Sequence, residues 1–364
     1  MKKLLFILTL TLNFNAYAAS EGWKDCDEDG TAACEYQIKN GVLTVRGTGE
    51  NGAGTIPDYT RDCTMTRYHE CTTTSPFRWD EEASSVHTIN IEKGITSIGA
   101  EAFEDMQMTS VNLSAGLLSI GDLAFIECEN LSGIDLPEGL LNIGISSFSG
   151  VTLESIVIPS SVTVVADSAF NRNSELKSLV VGENTALNEG IFMKWDGTAA
   201  IDLNEFKLYC PVSNTSCAAS LQSTGATNEE IGQILTSYTK DGNGFYQIGD
   251  SLYANADLMT HGAACDDAAN CQTILDDDEQ GKPFEVGGKY YATLDLFANG
   301  AACTDKKNCE EILASNGGPF KVGSKIYNSM ADFANGNNIK FRIYTIEEAN
   351  AVAGTKNRVS IRYR

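Results

Sequence analysis

The sequence predicts a mostly β, α+β protein whose centre is a solenoid of short stacked coils. Three observations lead to this fold class. Phenylalanine recurs at intervals of 22 or 23 residues in the middle of the chain. A short stretch of alternating aliphatic residues accompanies the recurrence. Ten of the eleven cysteines fall into close pairs on either side of this region.

The phenylalanine repeat defines the coils. Phe103, Phe125, Phe148 and Phe170 are separated by 22, 23 and 22 residues. One coil of this length cannot bury its apolar side alone, so successive copies must stack on each other. Two aliphatic columns and one column of small residues share the spacing: Ile95, Leu117, Leu140 and Val162; Ile98, Ile120, Ile143 and Val165; and Gly99, Gly121, Gly144 and Ala166.

Each copy also contains the elements of a brief strand. Residues 131–136, 153–158 and 176–181 fit the pattern L-x-x-L-x-L. This alternation predicts one short strand per coil, with aliphatic side chains inside and small or polar side chains outside. The outward strand positions are Asn90, Asn112, Asp135, Val157 and Val180, flanked by Thr88, Ser110, Gly133, Ser155 and Ser178.

The combined pattern, L-x-x-I-x-L-P-x-x-[VL]-x-x-I-G-x-x-[AS]-F-x-x-C-x-x-L, resembles the BspA-like leucine-rich repeat over about residues 32–225. The resemblance implies a leucine-rich-repeat solenoid with strands on a concave side and irregular coils on a convex side. Cys128 matches the inward cysteine of that family, which implies a buried thiol. The chain departs from the pattern at Gly150, where the cysteine position is lost, and at Ala166.

A cap is expected before the first coil, at residues 19–85, because that coil would otherwise expose its apolar side. Residues 36–49 predict a β-hairpin, with Asn40-Gly41 as its turn. Similar chains carry a segment like the Ser-Pro-Phe-Arg-Trp sequence of residues 75–79 ahead of the repeats. The repeats themselves are assigned to residues 86–187.

A closing cap is expected at residues 188–240. It contains a last strand at 206–211 and short helices at 218–221 and 228–238. A second, disulfide-stapled α+β repeat region follows at 241–340, in which three small hairpins begin at Phe245, Phe284 and Phe320 and helical stretches flank the cysteine pairs. Hairpins with so few core residues need such staples.

Residues 341–364 form a basic tail. The segment from Thr345 to Glu348 fits a capping box, Gly354 a helix stop, and residues 359–363 a short strand. An interaction or sorting tail is one interpretation. The other is an end strand whose cations offset nearby carboxylates.

The first 18 residues have the features of a secretory signal peptide: Lys2 and Lys3, a short apolar run and a small-residue cleavage site. The run is too short to span a bilayer, although a retained anchor is the alternative. The mature chain is therefore expected to be soluble and extracytoplasmic, whether secreted, on the cell surface or in the periplasm. The net charge of −23 argues against nucleic acid and anionic lipid as partners, and no later segment is apolar enough to cross a membrane.

Export and close spacing together predict five short disulfides. Each should stabilise the fold by about 2–3 kcal/mol. Zinc is the competing interpretation, but the pairs lack the C-x-x-C spacing and the histidine pattern of zinc sites. The predicted pairs are Cys26 with Cys34, Cys63 with Cys71, Cys210 with Cys217, Cys265 with Cys271, and Cys303 with Cys309.

Two motifs resemble ligand sites but favour plain structure. Residues 47–52 match G-x-G-x-x-G, yet the proline-containing segment after them opposes the helix that a dinucleotide site needs, so we predict a turn. Residues 25–30 begin like a calcium loop, but Tyr36 stands where a bidentate glutamate is required. A solvated acidic loop is the preferred interpretation there, as for the acidic run at 276–279. No metal site and no cofactor are predicted.

No catalytic residues are predicted either. The three histidines, His69, His87 and His261, are scattered, and no nucleophile or zinc-protease motif is present. The sequence therefore favours an exported non-catalytic binding protein, and a sheet of short side chains suits an extended protein segment or a glycan. The resemblance implies cell-surface adhesion, or interaction with a host, another cell or matrix. The alternatives are an envelope-associated structural scaffold and, less favoured, a carboxylate-based hydrolase. The sequence does not determine the oligomeric state.

Overall fold

The computed structural model describes residues 22–26, 32–59, 79, 83–188, 190–193, 205–317, 319–323, 325–327 and 329–336. The chain divides into two compact units, Met1–Thr236 and Ser237–Arg364. Several sequence predictions fall outside the described residues, among them the signal peptide at 1–18, most of the acidic loop at 25–30, residues 75–78 of the cap and the basic tail at 341–364.

The first unit is built mainly from short strands. In chain order its elements are β1 (Lys24–Asp25), β2 (Cys34–Lys39), β3 (Val42–Gly47), β4 (Gly54–Ile56), β5 (Thr88–Ile91), β6 (Ile95–Ile98), β7 (Ser110–Asn112), β8 (Ser119–Ile120), β9 (Asn142–Ile143), β10 (Ser155–Val157), β11 (Val164–Val165), β12 (Ser178–Val180), β13 (Ala186–Leu187), β14 (Lys207–Pro211), α1 (Ser216–Ser223) and α2 (Asn228–Ile234).

The strands of the coils form two parallel rows. The first row runs β3-β5-β7 and continues as β10-β12-β14, with Ile134 bridged to Val111 between the two groups. The second row runs β4-β6-β8-β9-β11-β13. The chain is therefore a solenoid of stacked coils, as the repeat predicts.

The strand prediction was incomplete in two ways. It assigned one strand to each coil, whereas the second row supplies another of two to four residues. It also assigned a strand to residues 131–136, where the structure has a single bridge at Ile134. Gly133 precedes that bridge, and a glycine without a side chain to pack weakens a strand.

The interior of the solenoid is a column of stacked rings. Phe103, Phe125, Phe148 and Phe170 are fully buried, and successive centroids lie 5.2, 5.4 and 5.7 Å apart with interplanar angles of 20° or less. The predicted inner column is thus present. Trp79 extends it at the N-terminal end, because its ring stacks on Phe103 at 5.2 Å and its Nε1 donates a hydrogen bond to the Ala102 carbonyl.

Close approach between coils explains the glycine column. A methyl carbon on Gly144 would lie 2.5 Å from the carbonyl carbon of Gly121 and 2.6 Å from the Asp122 nitrogen. Those neighbours are backbone atoms of the preceding coil and cannot swing aside. The next coil carries Ala166 at this position, so the requirement for glycine ends there.

We expect Gly144→Ala to lower the free energy of unfolding by about 1–3 kcal/mol, because the added methyl forces two coils apart. Ala166→Gly is the matched control in the same column, and it should cost about 1 kcal/mol or less. Chemical denaturation followed by tryptophan fluorescence measures both. Equal stability of Gly144→Ala and the parent protein would contradict the close approach.

The N-terminal cap contains the predicted hairpin. Strands β2 and β3 pair antiparallel, and Asn40 and Gly41 both have positive φ angles, of 52° and 74°. This is the mirror-image turn that matches the twist of a hairpin. The segment after β3 is a tight turn with one turn of 3-10 helix at Glu50–Gly52, and β4 follows it rather than the α-helix that a dinucleotide site needs.

The predicted disulfides have two outcomes. Cys63 and Cys71 lie outside the described residues, so the pairing of Cys63 with Cys71 stays a prediction and its place in the N-terminal cap is not tested. The other predicted pairs are bonded as expected: Cys26–Cys34, Cys210–Cys217, Cys265–Cys271 and Cys303–Cys309.

The segment predicted as the closing cap contains strand β14, close to its predicted place, and the Cys210–Cys217 disulfide. Thr227 begins α2 with a capping box, and hydrogen bonds from the backbone and side chain of Thr227 lower the pKa of Glu230. The predicted helix at 228–238 is too long, because α2 ends at Ile234 and β15 (Leu235–Lys240) follows. The β-branched and aromatic residues of that segment favour a strand.

The second unit repeats one supersecondary pattern. Its elements are β16 (Tyr246–Ile248), β17 (Ser251–Tyr253), α3 (Ala256–Thr260), α4 (Ala268–Glu279), β18 (Phe284–Val286), β19 (Lys289–Tyr291), α5 (Leu294–Ala298), α6 (Lys306–Ala314), β20 (Phe320–Val322), β21 (Lys325–Tyr327) and α7 (Met330–Ala334). The three hairpins and the Cys265–Cys271 and Cys303–Cys309 disulfides confirm the predicted stapled region.

One asparagine per repeat ties a helix of this unit to its hairpin. Asn270 donates a hydrogen bond to the Glu285 carbonyl at 2.9 Å, and Asn308 donates to the Lys321 carbonyl at 2.8 Å. Both follow an aspartate that caps the helix. Ring clusters repeat as well, with Tyr291–Phe297 and Tyr327–Phe333 centroids at 4.8 and 4.9 Å.

Candidate binding face of the solenoid

The predicted binding residues lie in register along the first row of strands. Asn90 pairs with Asn112 between β5 and β7, and Val157 pairs with Val180 between β10 and β12. Asp135 follows the bridging residue Ile134, which joins the two groups. Asn112 and Asp135 are exposed, while Asn90 and Val157 are half-buried. We call the surface of Asn90, Asn112, Asp135 and Val157 the first-row face.

Val180 does not contribute to this face, because its side chain is only 1% exposed. Val180 is flanked by strands on both sides, because it pairs with Val157 of β10 and with Tyr209 of β14. The prediction that Val180 belongs to an exposed binding face is therefore wrong.

Side-chain hydrogen bonds run across the coils on the first-row face. The Asn112 Nδ2 donates to the Asn90 Oδ1 at 2.6 Å, and the hydroxyls of Thr88 and Ser110 are 3.1 Å apart. The Asn90 Nδ2 and the Asn112 Oδ1 take no part in the bond between the two amides. The arrangement offers hydrogen-bond donors and acceptors on a strip of short side chains, which suits an extended polar partner.

The two histidines that the structure describes have separate surroundings. His87 is exposed beside Thr88, and His261 lies by the Asp257 carboxylate at 3.4 Å, in the second unit. His69 is outside the described residues. Within the described part of the chain, no group of three or more His, Cys, Asp or Glu side chains is arranged to hold a metal ion.

Cys128 holds the inward position that the repeat pattern assigns to it. Its side chain is fully buried, and its Sγ donates a hydrogen bond to the Phe103 carbonyl of the preceding coil at 3.0 Å. Asn173 has the same role two coils further on, with its Nδ2 donating to the Phe148 carbonyl at 2.8 Å. The sequence interpretation missed Asn173, although its place three residues after Phe170 matches that of Cys128 after Phe125.

The prediction that the cysteine position is lost at Gly150 is wrong by one residue, because the residue three after Phe148 is Val151, whose side chain is buried. Gly150 lies instead where an ion pair crosses its coil. Glu127 and Arg172, on the coils before and after, form a salt bridge. Gly150 lies between them with φ +76°, and a methyl carbon there would be 3.3 Å from a Glu127 carboxylate oxygen. The absence of a side chain at Gly150 therefore leaves room for the pair.

We expect Cys128→Ala to lower the free energy of unfolding by about 1–3 kcal/mol, because it leaves the buried Phe103 carbonyl without this donor. Cys128→Asn should stay closer to the parent protein, since Asn173 makes the equivalent bond. Differential alkylation with mass spectrometry gives a second measurement: Cys128 should react only after denaturation. Rapid labelling in the folded protein would contradict the burial.

The repeat region matches a known family model. Residues 81–196 match the BspA type leucine rich repeat region in six copies, which is about a third of the 364 residues. Among curated proteins, none matches this chain. In the described residues, no helix is long and apolar enough to cross a membrane.

Several solved bacterial structures are similar to part of the chain. A leucine-rich repeat protein from Eubacterium ventriosum is 20% identical with a TM-score of 0.35, and the match covers 50% of this chain and 52% of that one. The T. pallidum leucine rich repeat protein is 18% identical with a TM-score of 0.31, covering 47% of this chain and 80% of that one.

A leucine rich cell surface protein from Faecalibacterium prausnitzii is 19% identical with a TM-score of 0.31, covering 55% of this chain and 42% of its own. The chain thus spans about half the length of the first of these proteins. The family match rests on the repeats, whose inner column and two rows of strands are described above. Residues 81–196 of this chain are a BspA type leucine rich repeat region.

Proposed function

We propose that this chain is an exported, non-catalytic binding protein that uses the first-row face to hold a protein or glycan of another cell or of a matrix. The observation that carries the proposal is the strip of short, polar, register-aligned side chains at Asn90, Asn112 and Asp135. Repeat arrays offer such extended surfaces to partners because each coil adds one more row of side chains.

Export is supported by the signal-like N-terminal sequence. The disulfides of both units support it as well, because such bonds persist in oxidising compartments outside the cytosol. Adhesion at the cell surface is the role we propose for the exported chain.

The binding test uses the full mature chain on arrays of glycans and matrix proteins. Asn112→Arg places a large side chain on the first-row face and should weaken any binding found with the parent protein. Asn130→Arg is the matched control, because Asn130 is an exposed residue of the repeats outside the first-row face. Equal loss in both variants, or no binding by the folded parent, would count against the proposal.

An envelope-associated scaffold is the second candidate. The observation that favours it is the second unit, whose repeated hairpins and helices form a separate folded module. Such a module offers a docking surface for an envelope partner. Protease added to intact cells separates the two roles. Cleavage of this chain supports surface adhesion, whereas protection supports an internal scaffold.

A further inference from the structure

A second surface of the solenoid carries large apolar side chains in contact with solvent. Leu118, Leu141, Ile145 and Val164 are 44%, 42%, 42% and 41% exposed. We call these four residues the apolar stripe. They lie at the second row of strands, away from the positions that define the first-row face.

The stripe crosses neighbouring coils but is not a single column of the repeat, since Leu118 and Leu141 share one position and Val164 and Ile145 occupy two others. The Leu141 amide donates a hydrogen bond to the Leu118 carbonyl at 2.8 Å, and Val164 pairs with Asn142, the residue after Leu141. Ile145 follows in the same coil as Leu141. Neighbouring parallel strands are about 4.8 Å apart, so the four side chains occupy three consecutive coils rather than scattered positions.

The fold does not need the stripe for its core. The residue before Leu118 and that before Leu141 are Leu117 and Leu140, and both are fully buried. Single exposed leucines are common on protein surfaces, but a group of exposed apolar residues on neighbouring coils is typical of an interaction site. The stripe is therefore surface that the solenoid leaves for a partner.

The charge around the stripe has one sign. Between Lys93 and Arg172 the chain contains ten Asp and Glu residues and no Lys, Arg or His. Two of these acids, Asp122 and Asp167, are exposed on the coils before and after Ile145. The Asp122 Oδ1 accepts a hydrogen bond from the Ile145 amide at 2.7 Å, which fixes that carboxylate beside the stripe.

We propose that the apolar stripe binds a partner polypeptide in which aliphatic side chains alternate with lysine or arginine. The aliphatic side chains would cover the stripe, and the cations would meet Asp122, Asp167 and the neighbouring carboxylates. Complementary charge favours this occupant over a second copy of the chain, because two such faces would bring like charges together. This site is separate from the first-row face and does not depend on its function.

The test titrates the full mature chain with a nine-residue synthetic peptide of alternating arginine and leucine. One control peptide has glutamate in place of arginine, and another has serine in place of leucine. Isothermal calorimetry should detect binding of the first peptide only, and the affinity should fall as salt is raised. Equal binding of the arginine–serine peptide would overturn the proposal, since general charge attraction would then suffice.

Variants locate the site. The triple variant Leu118→Ser, Leu141→Ser and Val164→Ser should weaken the arginine–leucine peptide about ten-fold or more. Val212→Ser is the control, because Val212 is 65% exposed and outside the stripe. Asn112→Arg should leave the peptide affinity unchanged, which separates this site from the first-row face.

Two further measurements test whether these variants can be interpreted in this way. Circular dichroism should show unchanged folding in the triple variant, because its side chains are exposed. Analytical ultracentrifugation should find no self-association of the parent protein through the stripe. Self-association that disappears in the triple variant would identify a second copy as the occupant and overturn the proposal, as would full peptide affinity in that variant.

Discussion

Phe125→Ala is expected to lower the free energy of unfolding of the first unit by about 3–5 kcal/mol. The side chain is fully buried between Phe103 and Phe148, with centroids at 5.2 and 5.4 Å. Truncation opens a cavity and removes two ring stacks, each of which contributes about 0.5–1.5 kcal/mol beyond burial. Phe125 lies in the middle of the ring column, so its truncation removes contacts to the coils on both sides.

Tryptophan fluorescence during guanidinium denaturation measures this loss in the first unit alone, because Trp23, Trp79 and Trp195 all precede Thr236. Leu118→Ala is the control in the neighbouring part of the same coil. Leu118 is 44% exposed, so its truncation should change stability by about 0.5 kcal/mol or less. A similar small change for Phe125→Ala would mean that the ring column does not hold the coils together.

Cys303→Ala combined with Cys309→Ala is expected to destabilise the second unit by about 2–4 kcal/mol. The disulfide closes a loop of six residues' separation, and both cysteines are buried in a small cluster with Phe320, Tyr327 and Phe333. A small core buries little apolar surface, so it offsets little of the conformational entropy that the chain loses on folding. The disulfide therefore contributes a large part of the free energy of unfolding.

Amide hydrogen exchange shows where in the second unit the double variant loses stability. Amides of α6, β20 and β21 should exchange faster in the double variant, while the tryptophan transition of the first unit stays where it is. The equivalent double alanine variant at Cys265 and Cys271 is the matched comparison, since it should act on α4, β18 and β19 instead. Unchanged exchange around α6 would show that the disulfide is dispensable there.

Much of the solenoid follows from the sequence because its signals are periodic. Each phenylalanine of the column recurs at the same place in its coil, so the inward residues could be identified without coordinates. The Asn40-Gly41 hairpin and the close cysteine pairs of the second unit are local signals as well, since chain neighbours alone define them. Such features need no knowledge of distant contacts.

The features of the solenoid that the sequence did not predict depend on contacts between coils. Trp79 stacks on Phe103 although the sequence around it does not follow the repeat pattern. Asn173 replaces the cysteine as an inward donor because an amide and a thiol can reach the equivalent carbonyl.

The candidate site also combines features that the sequence predicts with features that only the fold determines. Period-two alternation was enough to place Asn90 and Asn112 on the outer side of their strands. Only the tertiary structure buried Val180, which the alternation placed on the outer side. Only the tertiary structure brought Leu118, Leu141, Ile145 and Val164 onto neighbouring coils, because their neighbourhood depends on the register between coils, whereas periodicity within one coil shows merely which side a residue faces.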